Sequence, residues 1–182
     1  MKRPAHSEGS LHRRILEDAY DRLPPVLRRF HDAPCGGSAQ GAFRITRGHG
    51  WLRHALASMM RLPSPGENVP VRLQVQVRGT EEIWIRDFGA QRLVTRLWQE
   101  EDLLIEAAGP LRFGYRLSAD AREMHTVSTR CWLLGIPLPS ALAPRVNACA
   151  SAEEAGWWVC VRVEVPVLGQ MAHYEGEVTP QW

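Results

Sequence analysis

Apolar and polar residues alternate without a break along Val71-Arg72-Leu73-Gln74-Val75-Gln76-Val77-Arg78, which gives an extended chain one apolar and one polar face. The same two-residue period governs most of the chain beyond Arg78. It predicts strands over residues 82–88, 92–98, 103–107, 111–118, 123–134, 157–165 and 170–178, with a shorter one over 146–150. Gly79-Thr80, Gly89-Ala90, residues 99–102 and Gly109-Pro110 separate them as turns. An earlier strand is predicted over 42–47, between Gly41 and Gly48. Short turns between successive strands favour antiparallel neighbours, because a parallel return needs a crossover of about a dozen residues or more.

The pattern before Val71 is helical. Ser10 is placed to cap a helix carrying Ile15, Leu16, Ala19, Tyr20 and Leu23 on one face, and Pro24-Pro25 ends it. Pro25 suits the first turn of a second short helix with Val26, Leu27 and Phe30. Residues 51–62 predict an amphipathic helix whose apolar stripe is Leu52, Ala55, Leu56, Met59 and Met60, stopped by Pro63-Ser64-Pro65-Gly66. The expectation is an α+β, mostly β domain: one strongly curved antiparallel sheet of eight to ten strands, barrel-like or half-barrel, covered by short N-terminal helices. Residues 1–10 read as a flexible tail and 11–182 as a single globular domain.

Composition changes little in this picture. The chain is 45% hydrophobic and 23% charged, which points to neither disorder nor a membrane protein. Lys2 is its only lysine, an arginine bias that reads as genomic rather than as phosphate binding. No apolar stretch follows the basic start, so a cytoplasmic location without membrane insertion is expected. Cys35, Cys131, Cys149 and Cys160 form no Cys-x-x-Cys pair and read as buried free thiols.

Recognised catalytic chemistry is sparse. His49 and His54 fall on different helix faces, while His125 and His173 lie on separate strands, so no metal ligands and no cofactor are expected. Gly36-Gly37 and Gly48-His49-Gly50 match no phosphate loop, and Ser38, Ser64 and Ser140 lack a nucleophile-elbow setting. Arg13, Arg14, Arg22, Arg28 and Arg29 are interspersed with Glu17, Asp18 and Asp21, a mixed-charge helix face rather than a nucleic-acid surface.

Several strings resemble a bacterial family, domain of unknown function 4166. They are Leu23-Pro24-Pro25 with Phe30-His31, Val69-Pro70-Val71, and Trp84-Ile85-Arg86-Asp87-Phe88-Gly89. Glu106-Ala107-Ala108-Gly109-Pro110, Leu134-Gly135-Ile136-Pro137-Leu138-Pro139 and Tyr174-Glu175-Gly176 continue the likeness. The resemblance implies an accessory role beside oxidoreductase-like modules, and it carries no catalytic residues over.

The most informative segment is Trp84-x-Arg86-x-Phe88, because alternate strand residues share a face and an arginine between two large aromatics needs a partner. Glu106 is the expected partner, and Tyr174 completes a polar cluster. Arg86 then either marks the polar end of an apolar pocket, pairing an anionic head group, or forms a structural ion pair. Candidate ligand-binding residues are Trp84, Arg86, Phe88, Glu106, Tyr115, Trp132 and Tyr174. The stiff loop with Ile136, Pro137, Leu138, Pro139 and Leu142 is a candidate lid or interaction surface, or simply caps the sheet. The leading expectation is non-catalytic binding of a small apolar or amphipathic molecule. An interaction module docking on an oxidoreductase is the alternative, and a cofactor-independent enzyme using Arg86, Glu106 and Tyr174 ranks third.

Overall fold

The computed structural model describes residues 9–182, so most of the expected tail over 1–10 lies outside the described residues. Ser10 opens α1 (Leu11–Leu16), its hydroxyl accepting from the backbone N–H of Arg13 at 3.4 Å. The first helix does not continue to Leu23 as its apolar spacing predicts. Glu17 takes a positive φ of 49°, a 3-10 turn follows over Glu17–Arg22, and α2 (Pro25–His31) begins on Pro25. The physical reason lies in the curved surface beneath. Changing the winding brings Leu16, Tyr20, Leu23, Leu27 and Phe30 into one core cluster, which a straight helix followed by a break would not follow. Polar ties hold the bend: Tyr20 Oη and Ser10 Oγ donate to Asp32 Oδ1 at 2.9 and 3.0 Å, and Arg13 bridges Asp21 and Asp32.

The strands are β1 (Ser38–Arg47), β2 (Gly66–Arg78), β3 (Glu81–Phe88), β4 (Gln91–Glu100), β5 (Leu103–Ala108) and β6 (Leu111–Ala119). They continue with β7 (Glu123–Leu133), β8 (Ile136–Pro137), β9 (Arg145–Ala152), β10 (Trp157–Val165) and β11 (Gly169–Gln181), and α3 (Trp51–Met59) joins β1 to β2. Ten strands close into a barrel in the order β6-β5-β4-β3-β2-β1-β11-β10-β9-β7, with β7 returning to β6. The two-residue β8 hangs on β7 outside the ring. Every pairing is antiparallel, so the alternative of a half-barrel gives way to full closure, which leaves the ring without an open edge.

Curvature has local causes. Register shifts interrupt β1–β2 at Phe43/Ile45, β6–β7 at Gly114/Tyr115 and β10–β11 at Val163/Glu164, and such irregularities bend a sheet. Gly176 in β11 lies directly opposite Phe43, and a Cβ there would run into the Ala42 carbonyl oxygen and the Phe43 ring. The close approach of β1 to β11 therefore requires glycine.

Antiparallel order sends the connections alternately to the two barrel ends. Those at 79–80, 101–102, 120–122 and 153–156 share one end with α1 and α2; those at 48–65, 89–90, 109–110, 134–144 and 166–168 share the other with α3. α3 covers the barrel less than its pattern predicts. Ala57 and Met60, with Leu62 beyond the helix, are buried, whereas Leu52, Ala55 and Met59 of the expected stripe are exposed. The helix leans on the barrel rim through its C-terminal part alone, so only that part has a core to enter. The expectation of four buried thiols is also corrected: Cys131 is buried, Cys149 and Cys160 are half-buried, and Cys35 is exposed. The outward side of β9 and β10 places the middle pair at the surface.

Candidate functional site in the barrel interior

Inward-facing positions do not merge into one solid core. They form two clusters, one around Leu97, Phe113, Val163 and Met171, the other around Tyr20, Phe43, Phe88 and Trp157. Members of both line a cavity of about 230 Å³ inside the barrel. The inward alternation of each strand supplies the walls, Phe30 and His31 of α2 contribute from one end, and Met60 and Leu62 from the other. Several side chains that face this space, among them Leu73, Trp84, Leu93 and Tyr174, are only half-buried, as expected beside a void rather than in close packing.

One polar belt crosses the apolar chamber. Arg86 Nη1 donates to Glu106 Oε1 at 2.9 Å and to Thr95 Oγ1 at 2.8 Å. The guanidinium also lies 4.9 Å from the ring centre of Trp84, two residues earlier on the same face. Arg86 and Glu106 meet because β3 pairs with β4 and β4 with β5, which sets Thr95 and Glu106 one and two strands away. Both contacts use Nη1; among the described residues Nε and Nη2 carry no hydrogen bond. The ion pair keeps partial contact with solvent space, with the two side chains 22% and 14% exposed.

Tyr115 and Tyr174 flank the pair. Burial pushes the Tyr115 phenol well above its ordinary range, and the adjacent Glu106 charge adds to that. Burial likewise pushes Tyr174 up to about 12, although Arg86 opposes the shift. Both phenols are therefore protonated hydrogen-bonding groups at neutral pH, far from the range of a general base. Tyr174 also packs beside Phe88 and Phe43, with ring centres 5.8 and 6.2 Å away.

A second polar group sits where the helices cover the barrel. The rings of His12 and His31 lie 3.7 Å apart, each 6.0 Å from Trp84. Trp84 Nε1 donates to the buried Glu82 at 2.7 Å, while His12 Nδ1, 3.9 Å from Glu82, has no hydrogen-bond partner among the described residues. Burial drives His12 down to about 4, with the Arg14 charge adding, and drives His31 well below its ordinary value, with His12 adding. Both imidazoles are neutral at pH 7.

The structure thus brings Trp84, Arg86, Phe88, Glu106, Tyr115 and Tyr174 together around the cavity. It does not bring Trp132, which follows the inward Cys131 and faces outward under the guanidinium of Arg112 at 4.3 Å. An extra residue in β7, Thr129 opposite Gly114/Tyr115, reverses the inward-outward parity beyond it and makes Trp132's direction unreadable from the strand pattern. In the proline-rich loop, Ile136 and Leu142 are exposed and Leu138 packs on the core, so the loop lines the barrel rim rather than the cavity. His12, His31 and Thr95 were missed. The first two stand in helices where histidine reads as a surface residue, and Thr95 follows an ordinary strand alternation.

Metal-capable groups lie elsewhere. Among the described residues, three such side chains converge twice, at Glu123/His125/Cys149 and at Cys160/His173/Glu175, both on the outer barrel face. The separate strands of His125 and His173 were the ground for expecting no ligands; each histidine has a glutamate two residues away on its own strand, and register adds a cysteine from the neighbouring strand.

A family model described as "Domain of unknown function (DUF4166)" matches residues 23–178. No curated protein and no solved structure matches the chain.

Proposed function

Because the chain belongs to the DUF4166 family, whose description assigns no chemistry, we propose a function from the barrel interior alone: reversible binding of a small, mainly apolar molecule carrying one uncharged hydrogen-bonding group. The observation that carries this reading is an apolar cavity of about 230 Å³ crossed by a single ion pair with unused hydrogen-bonding capacity. Its size approaches the lower end of small-molecule sites, about 300–1,000 Å³. Glu106 already neutralises Arg86, so an anionic head group, the one anticipated from the sequence, meets a carboxylate beside its cation. A hydroxyl or carbonyl oxygen instead accepts from Arg86 Nε or Nη2 and from the Tyr115 or Tyr174 hydroxyl without displacing Glu106.

Native mass spectrometry of freshly purified protein is expected to show a retained small molecule. The apolar fluorophore 1-aminoanthracene is expected to bind saturably and to be displaced by medium-chain alcohols more readily than by the matching carboxylates. Ala148 faces the cavity from β9, so Ala148→Phe fills it. Fluorophore binding that survives Ala148→Phe in a folded barrel would overturn the reading.

A further inference from the structure

We propose that the outer face of β7, β9, β10 and β11 carries two neighbouring binding sites for transition-metal ions of the zinc class. Register sets His125 opposite Cys149, Cys149 opposite Cys160, and Cys160 opposite Glu175, forming one row across four adjacent strands. Directly opposite side chains start about 4.5–5.5 Å apart at Cβ, so their tips readily share an ion. On one side, Glu123 Oε1 lies 2.8 Å from His125 Nε2, and Glu123 Oε2 lies 3.1 Å from Cys149 Sγ. On the other, Cys160 Sγ lies 3.3 Å from His173 Nε2, which is 3.8 Å from Glu175 Oε2. Ligand atoms around a tetrahedral zinc, at about 2.0–2.3 Å from the metal, are separated by about 3.3–3.8 Å. Thiolate with imidazole selects zinc-class ions over magnesium or calcium, and three protein ligands per triad leave a position for water. An ion in the first triad clamps β7 to β9, and one in the second clamps β10 to β11.

The test uses the full chain after chelation. Titration with Co²⁺ is expected to produce a thiolate-to-cobalt charge-transfer band, and Zn²⁺ is expected to survive dialysis and raise the thermal midpoint. Cys149→Ser and Cys160→Ser are each expected to shrink the band, and the double variant to abolish it and weaken Zn²⁺ binding by about tenfold or more. Far-ultraviolet circular dichroism confirms that the variants remain folded. Absence of the band in the wild-type protein, or Zn²⁺ binding unchanged in the folded double variant, overturns the sites.

A different observation concerns the barrel end that carries α3. We infer that this end docks on an anionic lipid surface. Trp51, Leu52, Met59, Leu134, Ile136, Leu142 and Val167 are all exposed there, Trp51 at 81%. The connections at this end, 48–65, 89–90, 109–110, 134–144 and 166–168, contain no aspartate or glutamate, while Arg53 and Arg61 stand in the first. Glu67, Asp87 and Glu164, on the strands meeting it, are paired with Arg44, Arg92 and Arg162. The connections at the opposite end carry Glu101, Asp102, Asp120, Glu153 and Glu154. An apolar rim with tryptophan and unopposed arginines fits a bilayer interface with anionic headgroups.

Co-sedimentation is expected with vesicles of phosphatidylglycerol and phosphatidylcholine, and not with phosphatidylcholine alone or at high salt. Trp51→Ser combined with Ile136→Ser, both fully outside the core, is expected to weaken it by about tenfold or more. Failure to sediment, equal binding to both vesicles, or self-association through this face in their place overturns the inference. Fluorophore binding measured without vesicles keeps this result separate from that of the cavity.

Discussion

Replacing Glu106 by leucine would leave Arg86 inside the barrel with Thr95 as its remaining hydrogen-bond partner. At 2.9 Å the gross attraction of the pair is ~6 kcal/mol for an effective dielectric of about 20. Most of that offsets the desolvation of the two charges, which is why exchanging a whole buried pair for apolar groups is often neutral. Breaking one partner of a buried pair typically costs about 3–5 kcal/mol. Here the cavity leaves Arg86 22% exposed, so the orphaned cation recovers some solvation and we expect about 2–3 kcal/mol instead. Arg86→Leu should cost a similar amount by stranding Glu106. The double variant Arg86→Leu/Glu106→Leu removes both charges and should lie within about 1 kcal/mol of the parent. For a chain of this length each single variant should melt about 5–10 °C lower. Urea denaturation of the four proteins gives the coupling energy, expected at about 3 kcal/mol or more. A double variant whose loss equals the sum of the single losses, within about 0.5 kcal/mol, refutes the account of the pair as one electrostatic unit.

Stability should fall as pH drops below about 6.5, because the unfolded chain protonates His12 and His31 while the folded chain holds them neutral. A His12 value of about 4 corresponds to a loss on the order of 3 kcal/mol between pH 6.5 and 4, about 2 kcal/mol of it by pH 5, and His12→Leu should show a flatter stability profile between pH 7 and 5 than the parent. Gly176→Ala should destabilise the barrel by about 3 kcal/mol, read from chemical denaturation, because its Cβ meets the β1 backbone and the Phe43 ring. Trp132→Ala should leave 1-aminoanthracene affinity unchanged, since its ring stacks on Arg112 outside the barrel; Trp84→Ala should reduce it.

The two-residue period determined most of the fold. Alternation at Val71–Arg78 and the short Gly-containing turns between most of the strands that follow left an antiparallel sheet as the consistent reading, because side-chain parity and turn length are local properties. Trp84-x-Arg86-x-Phe88 also announced its polar site, since an arginine among aromatics on an inward face needs an acidic partner, and Glu106 supplied it. What the chain alone left undecided depends on pairings between distant segments. Closure rests on β7 meeting both β6 and β9, and the outward turn of Trp132 rests on an extra residue, Thr129, that the pairing with β6 leaves unmatched in β7. The stacking of His12 on His31 and the row from His125 to Glu175 rest on packing and register, which no single strand encodes. The void itself is tertiary: it depends on how far ten curved strands stand apart, and alternating side chains look the same from within the sequence whether they fill that space or only surround it.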